Sequence, residues 1–314
     1  MEPGRQDRLI AGRYRLGTVI GRGGMAVVWR GRDELLCRDV AVKELAWPAC
    51  VSEAERQAAC HRAIREAKVA AGLNHWNVIR VLDIAEDDGN PWIIMELLPC
   101  RSLRDVVREE GSLSPARAAE VGLDVLAALR AAHAAGVVHR DVRPANILMA
   151  PGRVVLTDFG IAGATGSAEL TAAGILEGSP SYIAPERAGG GQCGPPGDLW
   201  GLGACLYAAV EGHGPFDRDD DALASLAATV ADGLELAPRA GPLWPVISGL
   251  LRKDPAQRID AAEAERLLRA VGPHFVPKRA TTEAGKARAG TARRAAAGVR
   301  RAAAASRRGL PWPP

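Results

Sequence analysis

Strand-forming and helix-forming patterns are segregated along this chain, and that segregation limits its fold more than any single residue does. Residues 14–42 read as three β-strands, 15–20, 27–31 and 39–42, with glycine-rich punctuation between the first two. Residues 52–72 follow with Ala59, Ala63, Ile64, Ala67 and Ala70 at helical intervals, closed by Gly72 as a C-terminal cap. Strand character resumes over 78–84 and 92–97. After Arg101 the helical period takes over. Ser114-Pro115 is an N-cap and first-turn signal, and Val121, Val125, Leu129 and Ala132 then share one face down to Gly136. Further helices are expected over 198–211, 221–231, 243–252 and 261–271. The pattern predicts an α+β fold of two lobes: a small antiparallel sheet carrying one main helix, then a larger helical lobe. The junction near 98–101 is the natural place for a ligand cleft.

The net charge of +3 hides an asymmetry. Residues 273–314 hold ten Lys or Arg against the single Glu283, so this tail carries +9 and the remainder −6. The tail is Ala, Arg, Gly, Lys and Thr with no apolar period able to form a core, and is expected to be disordered. Its Arg pairs at 293/294, 300/301 and 307/308 recur every seven residues. A solvated linker, a contact with anionic lipid and a contact with nucleic acid are the three readings of such a segment. Residues 1–13 lack the apolar run of a secretory signal, and 199–210, the longest apolar stretch, falls short of the ~20 residues a membrane span needs. Cys37, Cys50, Cys60, Cys100, Cys193 and Cys205 show no metal-ligand spacing. These features predict a cytoplasmic protein with reduced thiols, no signal peptide and no transmembrane helix.

Chemistry is concentrated in a few short runs. Ile20-Gly21-Arg22-Gly23-Gly24-Met25-Ala26-Val27-Val28 lies between two strands, a position where glycine lets backbone N–H groups approach phosphate. Alone it reads equally well as an ordinary glycine-rich hairpin. Lys43 ends Val40-Ala41-Val42-Lys43, and it is one of only five lysines beside 35 arginines. A compact ammonium fits a slot beside two phosphates better than a planar guanidinium does. Glu66, midway along the following helix, has the spacing to hold Lys43. The decisive run is His139-Arg140-Asp141-Val142-Arg143-Pro144-Ala145-Asn146, followed by Thr157-Asp158-Phe159-Gly160. There Asp141 can accept a hydroxyl proton, while Asn146 and Asp158 can reach metal ions that bridge phosphates.

With these motifs in order, the chain resembles the eukaryotic-like serine/threonine protein kinases of bacteria, and matching runs cover nearly all of residues 14–271. They include Ser181-Tyr182-Ile183-Ala184-Pro185-Glu186, Asp198-Leu199-Trp200-Gly201-Leu202-Gly203 and Asp254-Pro255-Ala256-Gln257-Arg258. The resemblance implies a kinase domain over 14–272, with lobes of about 14–97 and 101–272, that uses ATP with Mg²⁺ or, as an alternative, Mn²⁺. It implies that Ile20, Val28, Ala41, Met95 and Leu148 sandwich the adenine, that the Glu96 carbonyl and Leu98 amide bond its edge, and that Gly21, Gly23, Gly24 and Lys43 hold the phosphates. It further implies that Glu186 pairs with Arg258 and that Asp198 braces the 139–141 turn.

Three positions depart from the family pattern: Ala26 for the third glycine, Arg143 for the usual lysine at the transferred phosphate, and Ser179 for threonine. Arg143-Pro144 and 178–182 favour serine and threonine acceptors of protein substrates. Thr171, Thr165 and Ser167 are candidate autophosphorylation sites, with Arg140 as the cation that would receive the phosphate. Phospho-dependent partners and a homodimer through the β-rich lobes are further implications of the resemblance. The rival readings are a pseudokinase scaffold, for which Arg143 is the single argument, and a small-molecule phosphotransferase, which would not need the Glu186 and Arg258 lock.

Overall fold

β-Branched residues alternate with polar ones from Tyr14 onward, and in the computed structural model they build an antiparallel sheet with the order β1-β2-β3-β4-β6-β5. The structure describes residues 6–23, 26–45, 52–159, 180–191, 194–218 and 221–271. All of them belong to one unit, Met1–His274. The expected basic tail, Gly24, Cys50, Ser179, Cys193, Thr165, Ser167 and Thr171 lie outside the described residues.

The strands are β1 (Leu9–Ile10), β2 (Tyr14–Gly23), β3 (Ala26–Asp33), β4 (Arg38–Leu45), β5 (Val81–Asp87) and β6 (Asn90–Glu96). β2, β3, β4 and β6 are longer than their sequence patterns marked, because cross-strand pairing runs past the apolar stretch, while β1 carries no such pattern. β2 shifts register against β3 between Leu16 and Val19 and again between Val19 and Gly21. Bulges of this kind bend a strand and re-aim its end. One face of the sheet packs Tyr14, Leu16, Trp29, Val40, Val42, Trp92 and Ile94 into a core of its own.

Helix α1 (Glu53–Ala71) buries Ala59, Ala63, Ala67 and Ala70, the stripe its period predicted. Gly72 does not take the left-handed cap conformation expected of it. The helix instead closes with a tighter turn in which the Gly72 N–H donates to Val69 O at 3.1 Å. Residues 78–80, read from sequence as the start of a strand, lie before β5. Val78 forms an isolated parallel bridge with Leu156 instead.

The second lobe begins with β7 (Arg101–Ser102) and α2 (Leu103–Glu110), followed by α3 (Pro115–Ala134). Ser114 caps α3 through the Arg117 N–H, with Pro115 in the first turn. Past its end Gly136 sits at φ 74°, where a side chain would be strained. The hairpin β8 (Ile147–Ala150) and β9 (Arg153–Leu156) completes a three-stranded sheet with β7. Helices α4 (Pro185–Ala188), α5 (Pro195–Glu211), α6 (Ala222–Ala231), α7 (Trp244–Leu250) and α8 (Ala261–Ala270) follow. α5 starts three residues before the apolar pattern because Pro195 and Pro196 suit a first turn.

α5 is apolar on all sides and buried along nearly its whole length, so it forms the pillar of the helical lobe. A Cβ on Gly201 would lie 2.7 Å from the Val142 carbonyl, so glycine here admits the 139–146 loop against the helix. The described residues contain no helix long and apolar enough to cross a membrane.

Candidate active site

The 139–146 loop is held from beneath by one buried carboxylate. Asp198, on α5, accepts the His139 N–H at 2.8 Å through Oδ2 and the Arg140 N–H at 2.7 Å through Oδ1. These bonds hold Arg140 at φ 68°, a conformation that costs a non-glycine residue about 1 kcal/mol or more. Oδ2 also meets His133 Nε2 at 2.7 Å, from the last turn of α3. His139 is fully buried. Its Nδ1 accepts the Asp141 N–H at 3.2 Å, so its proton sits on Nε2, which donates to the Thr157 carbonyl at 2.9 Å. The ring also packs edge-on to Phe159, with centroids 4.5 Å apart. The loop and the 157–159 segment are thus joined through one imidazole.

Asn146 closes the loop on itself, its amide Nδ2 donating to Asp141 O and Asp141 Oδ2, each at 2.9 Å. That leaves the Asn146 amide oxygen as the atom able to face a cation. Asp158 follows β9 at φ 68°, and its Oδ1 lies 2.7 Å from Lys43 Nζ. Burial would push the Asp158 carboxyl up. The charge and hydrogen bond of Lys43, with Arg143 adding to them, override burial and hold it below the usual carboxylate range.

Lys43, 4% exposed, reaches down from β4, where it is paired with Val28 and Ile93. Spacing along the sequence offered Glu66 as its partner. Asp158 lies within 2.7 Å of the ammonium, and Glu66 Oε1 lies 3.6 Å from Arg140 Nη1. β9 delivers Asp158 to Lys43, and a buried cation is costly without a close partner.

Val28, Ala41, Met95, Leu98 and Leu148 fall in one apolar cluster with Ala67, Ile79, Ile93 and Val155. Ile20 is about half exposed and stands on the rim. Gly21 pairs with Val28, and a Cβ there would meet nothing closer than 3.7 Å; at Gly23 the nearest atom would be 3.8 Å away. Among the described residues, nothing packs closely against either glycine.

Farther out, Arg258 meets Glu186 through two parallel hydrogen bonds of 2.9 and 3.0 Å and stacks on Trp200 at 5.2 Å. Arg258 also donates to Pro196 O at 2.6 Å.

Compared with known proteins, residues 14–267 match the protein kinase domain. The chain belongs to the protein kinase family. Within it, the serine/threonine-protein kinase PknA of Mycobacterium tuberculosis is 36% identical over 318 aligned positions, covering 96% of this chain and 73% of PknA. A probable serine/threonine-protein kinase of Corynebacterium efficiens is 39% identical over 67% of this chain, which spans 32% of that relative. PrkC of Bacillus subtilis is 34% identical over 81% of this chain and 39% of its own length. These relatives place the chain among the bacterial serine/threonine kinases, a family that uses ATP and a divalent metal and acts on proteins.

Neither His133 nor Arg153 was singled out from the sequence, where the place of His133 on the last turn of α3, shortly before Gly136, was the available signal. Arg153, at the start of β9, lies with its guanidinium 4.7 Å over the Trp76 indole.

Proposed function

We propose that this kinase is catalytically active and transfers the γ-phosphoryl group of ATP to serine and threonine hydroxyls of proteins, with Asp141 as the base. The observation that supports this reading is that Asn146 bonds Asp141, His139 ties their loop to Thr157, and the next residue, Asp158, lies 2.7 Å from Lys43. Asn146 occupies Asp141 Oδ2, which leaves Oδ1 for the acceptor hydroxyl. As the hydroxyl oxygen bonds to the γ-phosphorus, the bond from that phosphorus to the β-bridging oxygen breaks, ADP leaves, and the proton passes to Asp141.

Gly21, Gly23 and Lys43 hold the phosphates, and the cluster around Ala41, Met95 and Leu148 takes the adenine against Ile20 and Val28. The Glu96 carbonyl and Leu98 amide bond its edge. Arg143 takes the place beside the transferred phosphate. One carboxylate and one amide, Asp158 and Asn146, form a donor set suited to a hard divalent cation such as Mg²⁺ or, as the alternative, Mn²⁺. Held there, it would offset charge on the phosphates. Glu66 would then serve as a further partner of Lys43.

Autophosphorylation at Thr171, Thr165 or Ser167, phospho-dependent partners, pairing of the β-rich lobes and contact of the tail with anionic lipid or nucleic acid extend the proposal. So do a domain boundary near 272 and a cytoplasmic setting, where ATP is at hand and thiols stay reduced. A scaffold reading draws on Arg143 alone. The test is incubation with labelled ATP, Mg²⁺ and a generic basic protein, followed by phosphoamino-acid analysis. Label on serine or threonine supports the proposal. Label on tyrosine, or on the nucleotide-derived products alone, contradicts the acceptor assignment.

A further inference from the structure

Arg153 makes five contacts from one guanidinium, two to Glu96 at the end of β6 and three to Trp76 and Val78. Nη1 and Nη2 bond the two carboxylate oxygens of Glu96, each at 2.9 Å. Nε donates to the Trp76 carbonyl at 2.6 Å and Nη2 to the Val78 carbonyl at 3.4 Å. The plane lies over the Trp76 ring. Arg153 is 14% exposed in its side chain and Glu96 22%, so water screens the pair weakly. Burial would push the Glu96 carboxyl up, but bonding to Arg153 and to the Arg80 N–H holds it below the usual range.

Glu96 is fixed by its backbone as well, with its N–H donating to Arg80 O at 3.0 Å and its residue paired to Val40 on β4. The segment before β5 is in turn zipped along β9. Leu156 N–H donates to Asn77 O at 2.8 Å, Ile79 N–H to Leu156 O at 3.0 Å, and Asn77 Nδ2 to Val154 O at 2.8 Å. Residues 76–79 therefore lie along the edge of the helical lobe's hairpin although they precede β5 of the upper sheet. Arg153 extends this seam to the end of β6.

We infer that Arg153 is a positioning residue for the purine of the nucleotide: it ties Glu96 to β9 so that the Glu96 carbonyl holds a fixed place at the edge of the cleft. The inference rests on the proposed role of that carbonyl in accepting a hydrogen bond from the purine's 6-amino group. Arg153 does not touch the nucleotide. Its planar fork matches a carboxylate in two places at once, so it fixes orientation as well as distance, which a lysine ammonium does not.

The experiment is calorimetric titration of the full chain with ADP and with inosine diphosphate, which lacks the 6-amino donor, beside steady-state kinetics with ATP. Arg153→Met is expected to raise the Kd for ADP and the KM for ATP about tenfold, the effect of losing roughly one charge-assisted hydrogen bond, with kcat within about twofold. Discrimination between ADP and inosine diphosphate should shrink by the same factor. Arg153→Lys should recover only part of it. Glu96→Gln should give a similar loss, and the double variant should be little worse than either single one.

Unchanged Kd values, a fall in kcat alone, or losses that add in the double variant would overturn the inference. If Arg153→Met does not fold, the Glu96→Gln and Arg153→Lys titrations decide it by the same criterion. If the wild-type protein transfers no phosphate yet its discrimination depends on Arg153, the catalytic proposal fails and the brace stands.

Discussion

Lys43 and Asp158 show what a single side chain contributes here. In a chain where arginine is the default cation, a lysine near the end of β4 was readable from sequence as a candidate functional residue, and it is buried beside Asp158. Spacing along the chain pointed to Glu66 as its partner, and β9 also brings Asp158 within 2.7 Å, a neighbour that spacing alone does not mark because it depends on how β9 packs under β4. Lys43→Arg is expected to lower kcat/KM about 100-fold, comparable to removing one preorganised contact to developing charge. The guanidinium is too broad for a slot fitted to an ammonium. Transfer rates within about twofold of wild type would show that the site does not use the compact charge. Arg143 is a milder case, and Arg143→Lys is expected to keep or raise kcat, read from the same assay.

At the scale of elements, the catalytic loop depends on α5. Asp198 accepts from two successive backbone N–H groups, and an asparagine could accept one while aiming its own N–H₂ at the other. Asp198→Asn should therefore let the 139–141 turn relax from its left-handed residue. We expect kcat to fall about 100-fold, as for a misplacement of about 1 Å, with nucleotide Kd nearly unchanged. Equal losses in both would place the damage in the whole lobe. Gly201→Ala presses a methyl into the Val142 carbonyl and should cost about 1–3 kcal/mol in urea unfolding.

The elements themselves were largely legible, since α1, α3, α5, α6 and α8 carry long apolar periods or clear caps. Residues 78–79 were not. They read as the start of a strand, but their partner is β9 rather than β5's neighbours, and one short segment carries no mark of which lobe will claim it. Arg153 was invisible for the same reason, because its meaning lies in what faces it.

Across the whole molecule, the lock between Arg258 and Glu186 ties α4 to the far end of the helical lobe. Arg258 is almost fully buried, so Glu186→Gln would strand its charge and is expected to cost about 3 kcal/mol at neutral pH. That corresponds to a fall in Tm of about 6–12 °C for a domain of this size. Burial raises the Glu186 carboxyl, but bonding to Arg258 outweighs it and holds the group below its ordinary value. A depressed folded-state pKa gives stability that is complete above the unfolded value of about 4.3 and is lost as pH falls through the lower, folded one. Urea denaturation from pH 7 down to about 3 should show the gap between wild type and Glu186→Gln closing in that window. A gap that stays constant would mean that the carboxylate charge is not what Arg258 needs.

On the proposal above, Asp141 takes the acceptor's proton in a site otherwise assembled by Lys43, Asn146 and Asp158. This is tested most directly by single-turnover transfer from labelled ATP with Mg²⁺ in wild type and Asp141→Asn, with nucleotide Kd measured on both. The account predicts phosphoserine or phosphothreonine from wild type, and a rate lower by about 10²–10⁴ in the variant with nucleotide Kd unchanged. Wild-type protein that binds nucleotide without transferring phosphate, or a variant as fast as wild type, would contradict it.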